Sequence, residues 1–553
     1  MAVVLIAAAL VAPASAHARE FNIRSFDGTK IHGFFFPAEG LAPGKRAPTV
    51  MQGPGWSLPA DQPGGSAEGS ATDLFGVPGI DAYLAQGFNV LTWDPRGFGD
   101  SGGTVQIDDP KFEGRDAQAL IDFIAQQPEA QLERRCKKRK TPGGKRSCKT
   151  RKRDPRVGMS GGSYGGGIQL VTAAIDKRID AIIPTIAWHS LLTSIFPERN
   201  IKNGWGTILI AAGVQGSARG GGSDPATAPG RQDPHFYSIT TNGLATGNVS
   251  DADYNWMGSH GPANLVKRIR VPTLLIQGTV DTLFPLDEAV TNFNLIRRNK
   301  LRPPPGSKKG AKSAAKKKRK GKRVPVKMIW FCGGHGACFT GAGPARYLEQ
   351  QQLAWMSRHL KGDRRVSTGA KFSWIADDGK VRDSGNFPLK PAGQLSATGN
   401  GTLPIAPGQG SGGQIFASAA ANAVNVAIPG PANEANVLGA PSLNLTYQGT
   451  AAPQNTWVQA QIVNPRNGLV LSNMTTPIPV VLDGQQHSIS RNLEMVAARA
   501  PAGGGYQLQL TPSSTLFDLQ RSTGSVDFTS IEVTVPLAEP VTVKRKKKKR
   551  KKK

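Results

Sequence analysis

A chain of 553 residues, 39% hydrophobic and 19% charged, is too long for one ordinary domain and has apolar material enough for folded cores, so a wholly disordered polymer is excluded. The net charge of +29 suggests a nucleic-acid or membrane binder only until it is located: Arg134–Arg153 carries 12 Lys or Arg, Arg302–Arg323 carries 11 and Lys544–Lys553 carries 10, with no Asp or Glu in any of them. Those 33 charges leave −4 for everything else, so the folded body is mildly acidic and the basicity is appended to it.

At the start, Met1–Ala18 is an apolar run (Val3 to Val11) ending in Ala14-Ser15-Ala16 and Ala16-His17-Ala18. That is a signal peptide in outline, although no Lys or Arg precedes the apolar core, and it implies export. It is too short for a stable membrane anchor, and no later stretch reaches the ~18 apolar residues that a spanning helix needs. From Glu20 to about Leu360 short apolar runs alternate with amphipathic segments, the rhythm of an α/β sheet. Glu20–Phe36 reads as a hairpin turning at Asp27-Gly28. Strands are expected at Thr49–Gln52, Asn89–Trp93, Val157–Ser160, Ala181–Ile186, Thr273–Gln277 and Val326–Phe331. Helical spacing covers Asp81–Gln86, Gly114–Gln127, Tyr164–Ile175, Leu286–Ile296 and Pro344–Leu360. The long stretch from His189 to His260, Gly/Ser/Pro-rich over Gly216–Gln232, reads as a helical cap of about residues 189–262 with a long loop. The runs at 134–153 and 302–323 read as basic insertions.

From about Lys371 the texture changes to short alternating runs, Ser442–Tyr447, Thr456–Val463, Tyr506–Leu510 and Ser530–Val535, separated by Gly, Pro and Asn turns. This is an all-β sandwich pattern. It divides the chain into a first domain of 19–365 and a β domain of 370–540, the boundary near Gly362–Ala370. The tail 544–553, ten like charges with no apolar residue, is expected to be disordered. The cysteines form two close pairs, Cys136/Cys148 and Cys332/Cys338, compatible with two local disulfides in an oxidising compartment or with four free thiols. Neither pair has the two-residue spacing of a zinc knuckle.

Two overlapping Gly-x-Ser-x-Gly matches occur, centred on Ser160 and on Ser163. A nucleophile elbow needs a strand before it and a helix after it. A turn at Ser160 would shorten both, so Ser163 is the candidate. The acid and then the His should follow late strands. Val271 to Gly278 is a buried-strand pattern and Asp281 follows it; the competitor Asp287 precedes Glu288-Ala289-Val290 and reads as a helix cap. Met328-Ile329-Trp330-Phe331 runs into Gly333-Gly334-His335-Gly336, making His335 the candidate base. His32, His189, His235, His260, His359 and His487 read as ordinary surface or core imidazoles. An oxyanion hole needs two amide donors. Tyr164, after the nucleophile, supplies one. The loop Gly53-Pro54-Gly55-Trp56 supplies the other, and since Pro54 has no N–H the donor is Trp56, with Gly55 as the alternative. Asp94 to Gly103 reads as a structural turn.

Gly53–Trp56, Asp94–Gly103, Gly161–Gly166, Gly278–Pro285 and Gly334–Gly336, followed by a β domain, resemble the X-Pro dipeptidyl-peptidase and cocaine-esterase type of α/β-hydrolase. The resemblance implies an α/β-hydrolase fold with a helical cap insertion followed by a C-terminal jelly-roll-like sandwich. It also implies acyl transfer to water from small ester or peptide substrates, X-Pro peptides among them, without metal or organic cofactor. Pro54, where many relatives have a histidine, and the basic insertions depart from the family pattern. The competing reading is an inert cell-envelope protein held on an anionic polymer or membrane surface by its basic runs. Specific nucleic-acid recognition is not expected, since no binding motif or aromatic interleaving accompanies those runs.

Overall fold

The computed structural model describes residues 18–62, 76–136, 148–218, 231–301 and 322–539, apart from 342, 409 and 412. The leader up to residue 17, residues 137–147 and 302–321 of the basic insertions, and the basic tail lie outside the described residues. Ten strands build the first sheet: β1 (Arg19–Arg24), β2 (Lys30–Phe36), β3 (Thr49–Gln52), β4 (Asn89–Trp93), β5 (Val157–Gly162), β6 (Ile179–Thr185), β7 (Thr273–Gly278), β8 (Val326–Phe331), β9 (Phe372–Ile375) and β10 (Val381–Ser384). Their order is β1-β2-β4-β3-β5-β6-β7-β8-β9-β10. β3 to β9 run parallel, while β1, β2 and β10 are antiparallel to their neighbours.

The central strands are buried along their whole length, as β3, β4, β7 and β8 show, because helices cover both faces. Helices Glu113–Ile124, Tyr164–Ile175 and Leu286–Ile296 share one core with Met51, Leu91, Met159 and Leu275. Ile80–Ala85 and Tyr347–His359 close the other face over Val50, Ile183 and Ile329. Leu120, Ile121 and Ile124, spaced to face the sheet and fully buried, each contribute roughly 1.5–3 kcal/mol. From β3 the chain crosses to β4 on one side and then to β5 on the other. That reversal opens a crevice at the carboxyl ends of β3 and β5, where an α/β sheet binds its ligands.

Helices Leu191–Ile195, Asn203–Ser217, Pro234–Thr246 and Asp251–Ser259 form the cap above this crevice, packed around Trp188, Phe196, Trp205 and Phe236. The β domain is antiparallel throughout: β11 (Pro391–Ile405), β12 (Val424–Ile428), β13 (Ala435–Gly439), β14 (Ser442–Asn464), β15 (Leu469–Asn492), β16 (Val496–Ala500), β17 (Tyr506–Thr511) and β18 (Thr523–Ala538). Its own core includes Val437, Val458, Leu508 and Phe528.

Two expectations need correction. The change of texture at Lys371 is not where the first sheet stops: β9 pairs parallel with β8 and carries β10 with it, so that sheet runs on to Ser384. β9 is fully buried and β10 is the edge strand; both are only four residues long, with no helix between them, and so look like sandwich strands. Ser442–Tyr447 and Thr456–Val463 are not separate strands but parts of β14, continuous across register shifts at Gln448/Thr450 and Thr450/Asn455. The polar residues that look like a turn are absorbed as bulges. Among the described residues no helix is long and apolar enough to cross a membrane.

Candidate active site

Ser163 caps helix Tyr164–Ile175 at the end of β5 with φ 53° and ψ −116°. That is a strained conformation for a residue with a side chain, and it turns the hydroxyl out of the strand-to-helix bend. The flanking glycines make the bend possible. A Cβ on Gly165 would lie 2.1 Å from the Gly53 carbonyl oxygen, and one on Gly161, at φ +141°, 2.5 Å from the same atom. Helix and β3 loop therefore touch backbone to backbone. Ser160, the other motif serine, is fully buried and accepts a 2.9 Å bond from the Tyr83 hydroxyl, so it serves packing.

Asp281 follows β7 and has no exposed surface. Its Oδ1 accepts the amides of Leu283 (3.1 Å) and Phe284 (2.8 Å), which hold the carboxylate's orientation. His335 follows β8, in a loop closed by a disulfide between Cys332 and Cys338. Gly334, at φ +103°, sits so near that a Cβ would be 2.7 Å from that of Asp281. His335 Nδ1 lies 2.9 Å from both Asp281 oxygens, and Nε2 lies 2.9 Å from Ser163 Oγ. A carboxylate only accepts, so Nδ1 carries the proton and Nε2 is left to take one from the serine. Phe284 and Trp205 meet the imidazole edge-on at 5.1 and 5.9 Å. Asp287, the competitor, instead accepts the Met495 amide at 2.9 Å, and none of the other described histidines lines the cavity that holds Ser163.

The two expected oxyanion donors flank the same bend. Neither the Tyr164 amide, in the first turn of its helix, nor the Trp56 amide donates to an acceptor among the described residues, and the same is true of Gly55. The Trp56 indole donates to the Leu209 carbonyl of the cap at 2.7 Å and packs against Tyr164, which fixes the loop. The turn at Asp94 is scaffold: Asp94 accepts the amides of Ala60 and Asp100, and Arg96 pairs with Asp116 at 2.7 Å. A cavity of about 350 Å³ spans Ser163 and His335, walled by Pro54, Trp56, Val77, Ile186 and Leu209. That is the size of a small-ligand site. Among the described residues, Asp61 is the acid that lines it.

Behind the Tyr164 ring lie two buried acids. Glu113 accepts the hydroxyl of Tyr164 at 3.2 Å, and burial pushes its carboxyl up to about 8 despite Arg96. Burial beside Glu113 holds Asp108 well above the usual carboxylate range, and neither of its oxygens has a partner among the described residues. A carboxyl that holds its proton more tightly folded than unfolded stabilises fully below its unfolded value of 4.5, and that stability is lost as pH rises towards 8. The thermal midpoint is therefore expected to fall between about pH 5 and 8, and Glu113→Gln to flatten the fall. A slope unchanged in the variant would contradict this.

The structure thus brings Ser163, Asp281, His335, Trp56 and Tyr164 to one crevice. The described backbone ladder sets Cys136 opposite Cys148, but their sulfur atoms lie outside the described residues. Sequence reasoning missed Asp61, Lys202 and the β-domain loop at Gln414 and Ile415. Lys202 and the loop reach the site from remote segments and leave no local signal. Asp61, eight residues after Gly53, could have been found by asking which acids follow the oxyanion loop.

The family model of the X-Pro dipeptidyl-peptidase (S15 family) matches residues 27–310. The fold is similar to that of an aminopeptidase from a marine sediment Thaumarchaeota archaeon (12% identity, 95% of this chain and 97% of that one, TM-score 0.63). It is also similar to an α-amino acid ester hydrolase (12%, 96% and 98%, 0.59) and a CocE/NonD family hydrolase from Staphylococcus aureus (11%, 94% and 93%, 0.59). Among curated proteins the chain is similar to the polyketide transferase grgF of Penicillium sp, 23% identical over 166 residues, which are 30% of this chain and only 43% of that relative's length. With more than half of its residues matched by the family model, this chain belongs to the X-Pro dipeptidyl-peptidase (S15) family and is a serine hydrolase of ester or peptide bonds.

Proposed function

We propose that the chain cleaves esters or amides of small acyl groups that carry a free amine, by way of an acyl-enzyme on Ser163. Ser163 Oγ attacks the carbonyl carbon while its proton passes to His335 Nε2, and the imidazolium is steadied by Asp281. The amides of Tyr164 and Trp56 receive the oxyanion. When the bond to the leaving group breaks, His335 returns the proton to that group; a water molecule then repeats the sequence and frees the acid. The assembled triad supports turnover over an inert binding role.

The observation that carries the substrate class is Asp61. It stands on the wall of the cavity with no hydrogen-bond or ion-pair partner for its carboxylate among the described residues. Burial raises its pKa, which means that water solvates the charge poorly. A protonated amine entering there regains for the carboxylate what desolvation took away. The family name and the aminopeptidase and amino acid ester hydrolase among similar folds agree with that reading.

Its test is a pair of p-nitrophenyl esters differing only in an α-amine, with an X-Pro-p-nitroanilide alongside. Asp61→Asn is expected to lower the preference for the amine-bearing ester, as a ratio of kcat/KM, by roughly 10- to 100-fold. A ratio that does not change would sink the assignment. Export belongs to the same proposal, supported by the apolar leader and by the disulfide beside His335. A mature chain in the medium beginning after Ala16 or Ala18 would bear it out, and an uncleaved chain confined to cells would reject it. Nothing in the comparisons supports an anionic polymer as partner of the basic runs.

A further inference from the structure

Lys202 stands just before the cap helix Asn203–Ser217 and is only 2% exposed. A buried ammonium is costly unless its donors are used. Among the described residues no carboxylate lies within ion-pair distance of it; instead Nζ donates to two carbonyl oxygens, of Thr282 at 2.7 Å and Leu283 at 3.2 Å.

Those carbonyls belong to the peptide groups joining Thr282 to Leu283 and Leu283 to Phe284. The N–H ends of the same two peptide groups are the donors to Asp281 Oδ1. A cation at the oxygen of an amide draws electrons from its nitrogen and strengthens the N–H as a donor, the ordinary cooperativity of hydrogen-bond chains. Two parallel chains therefore run from Lys202 through a peptide group to Asp281, and Asp281 holds His335. Trp205, on the same cap helix, adds a 3.1 Å bond to the Thr282 hydroxyl.

We infer that Lys202 is a positioning residue for the catalytic acid: an ammonium carried by the cap, which fixes Asp281 through two polarised peptide groups and opposes protonation of His335. The inference rests on the reading of Ser163, His335 and Asp281 as the working triad. The charged groups facing Lys202 are Asp281 and Glu288 from the first domain and Glu494 from the β domain, which in turn bonds to Asp287. Burial lowers the lysine to about 8, against the pull of these acids, so it is mostly charged at neutral pH and below.

The sign of the effect follows. Removing the cation takes away a like charge that resists protonation of the imidazole. It also leaves Asp281 less well solvated and so a stronger partner for the imidazolium. Both changes make the imidazole easier to protonate, and the acidic limb of the kcat/KM profile moves to higher pH.

The experiment compares the full chain with Lys202→Met, Lys202→Gln and Lys202→Arg, measuring p-nitrophenyl butyrate hydrolysis against pH and labelling by a fluorophosphonate, with Ser163→Ala as the blank. Lys202→Met is expected to lower kcat/KM by roughly 10- to 100-fold. Its acidic limb should move up by about 0.5–1 pH unit. Lys202→Arg, which keeps the charge, should restore the wild-type midpoint. Lys202→Gln, which donates without charge, gives the same reading as Lys202→Met if the latter does not fold. A midpoint that stays put in the uncharged variants overturns the inference even if activity falls, because lost packing alone would slow the enzyme without moving the limb. Wild type that takes no label would instead bring down the triad reading itself.

Discussion

Ser163→Ala is expected to lower kcat for a p-nitrophenyl ester by roughly 10⁴-fold or more, with the thermal midpoint and circular dichroism of the wild type. The separation of chemistry from folding has a structural cause. The Ser163 side chain makes no capping hydrogen bond to its helix, and the backbone of the bend is held by Gly161, Gly165 and the 2.9 Å bond from the Ser163 amide to the Thr185 carbonyl. Alanine keeps all of that and removes only the oxygen 2.9 Å from His335. The check is fluorophosphonate labelling beside the rate measurement. Label retained in the variant would move the nucleophile elsewhere, and Ser160 could not take its place without breaking its buried bond to Tyr83.

Asp281→Asn should be nearly as damaging, by about 10³- to 10⁴-fold in kcat. The amides of Leu283 and Phe284 demand an acceptor at Oδ1, so an asparagine is forced to place its carbonyl oxygen there and to turn its NH₂ towards His335. The NH₂ then lies against Nδ1–H, and Oδ1 is the one acceptor left for three donors unless the imidazole moves its proton to Nε2, a tautomer that can no longer accept from Ser163. Steady-state kinetics with a burst measurement would show slow acylation. A loss under about tenfold would mean that the acid does not set the tautomer.

The parts of this fold that sequence revealed are those whose residues answer to local rules. β3, β4, β8 and the helices Tyr164–Ile175 and Leu286–Ile296 have the bounds that their apolar spacing implies, since burial on both faces leaves little freedom. Ser163, Asp281 and His335 were legible because each sits where a strand runs out into glycine. Strands β9 and β10 read as part of the β domain because two four-residue strands with no helix between them look alike at the end of an α/β sheet and in a sandwich. Lys202 could not be read at all. Its meaning lies in carbonyl groups 80 positions further along, and no periodicity records such a contact.

The loops that carry His335 and Asp281 are also stitched to the second domain. The Ala337 amide donates to the Ile415 carbonyl at 2.7 Å, the Thr282 hydroxyl donates to the carbonyl of Gln414, and Asn473 reaches the Ala337 carbonyl. Any loosening of the β domain must therefore break bonds two residues from His335 before it exposes either core. Deuterium uptake at Ala337 would then report domain separation, and thermal inactivation would set in ahead of global melting, so that shelf life and melting temperature become separate properties of the enzyme.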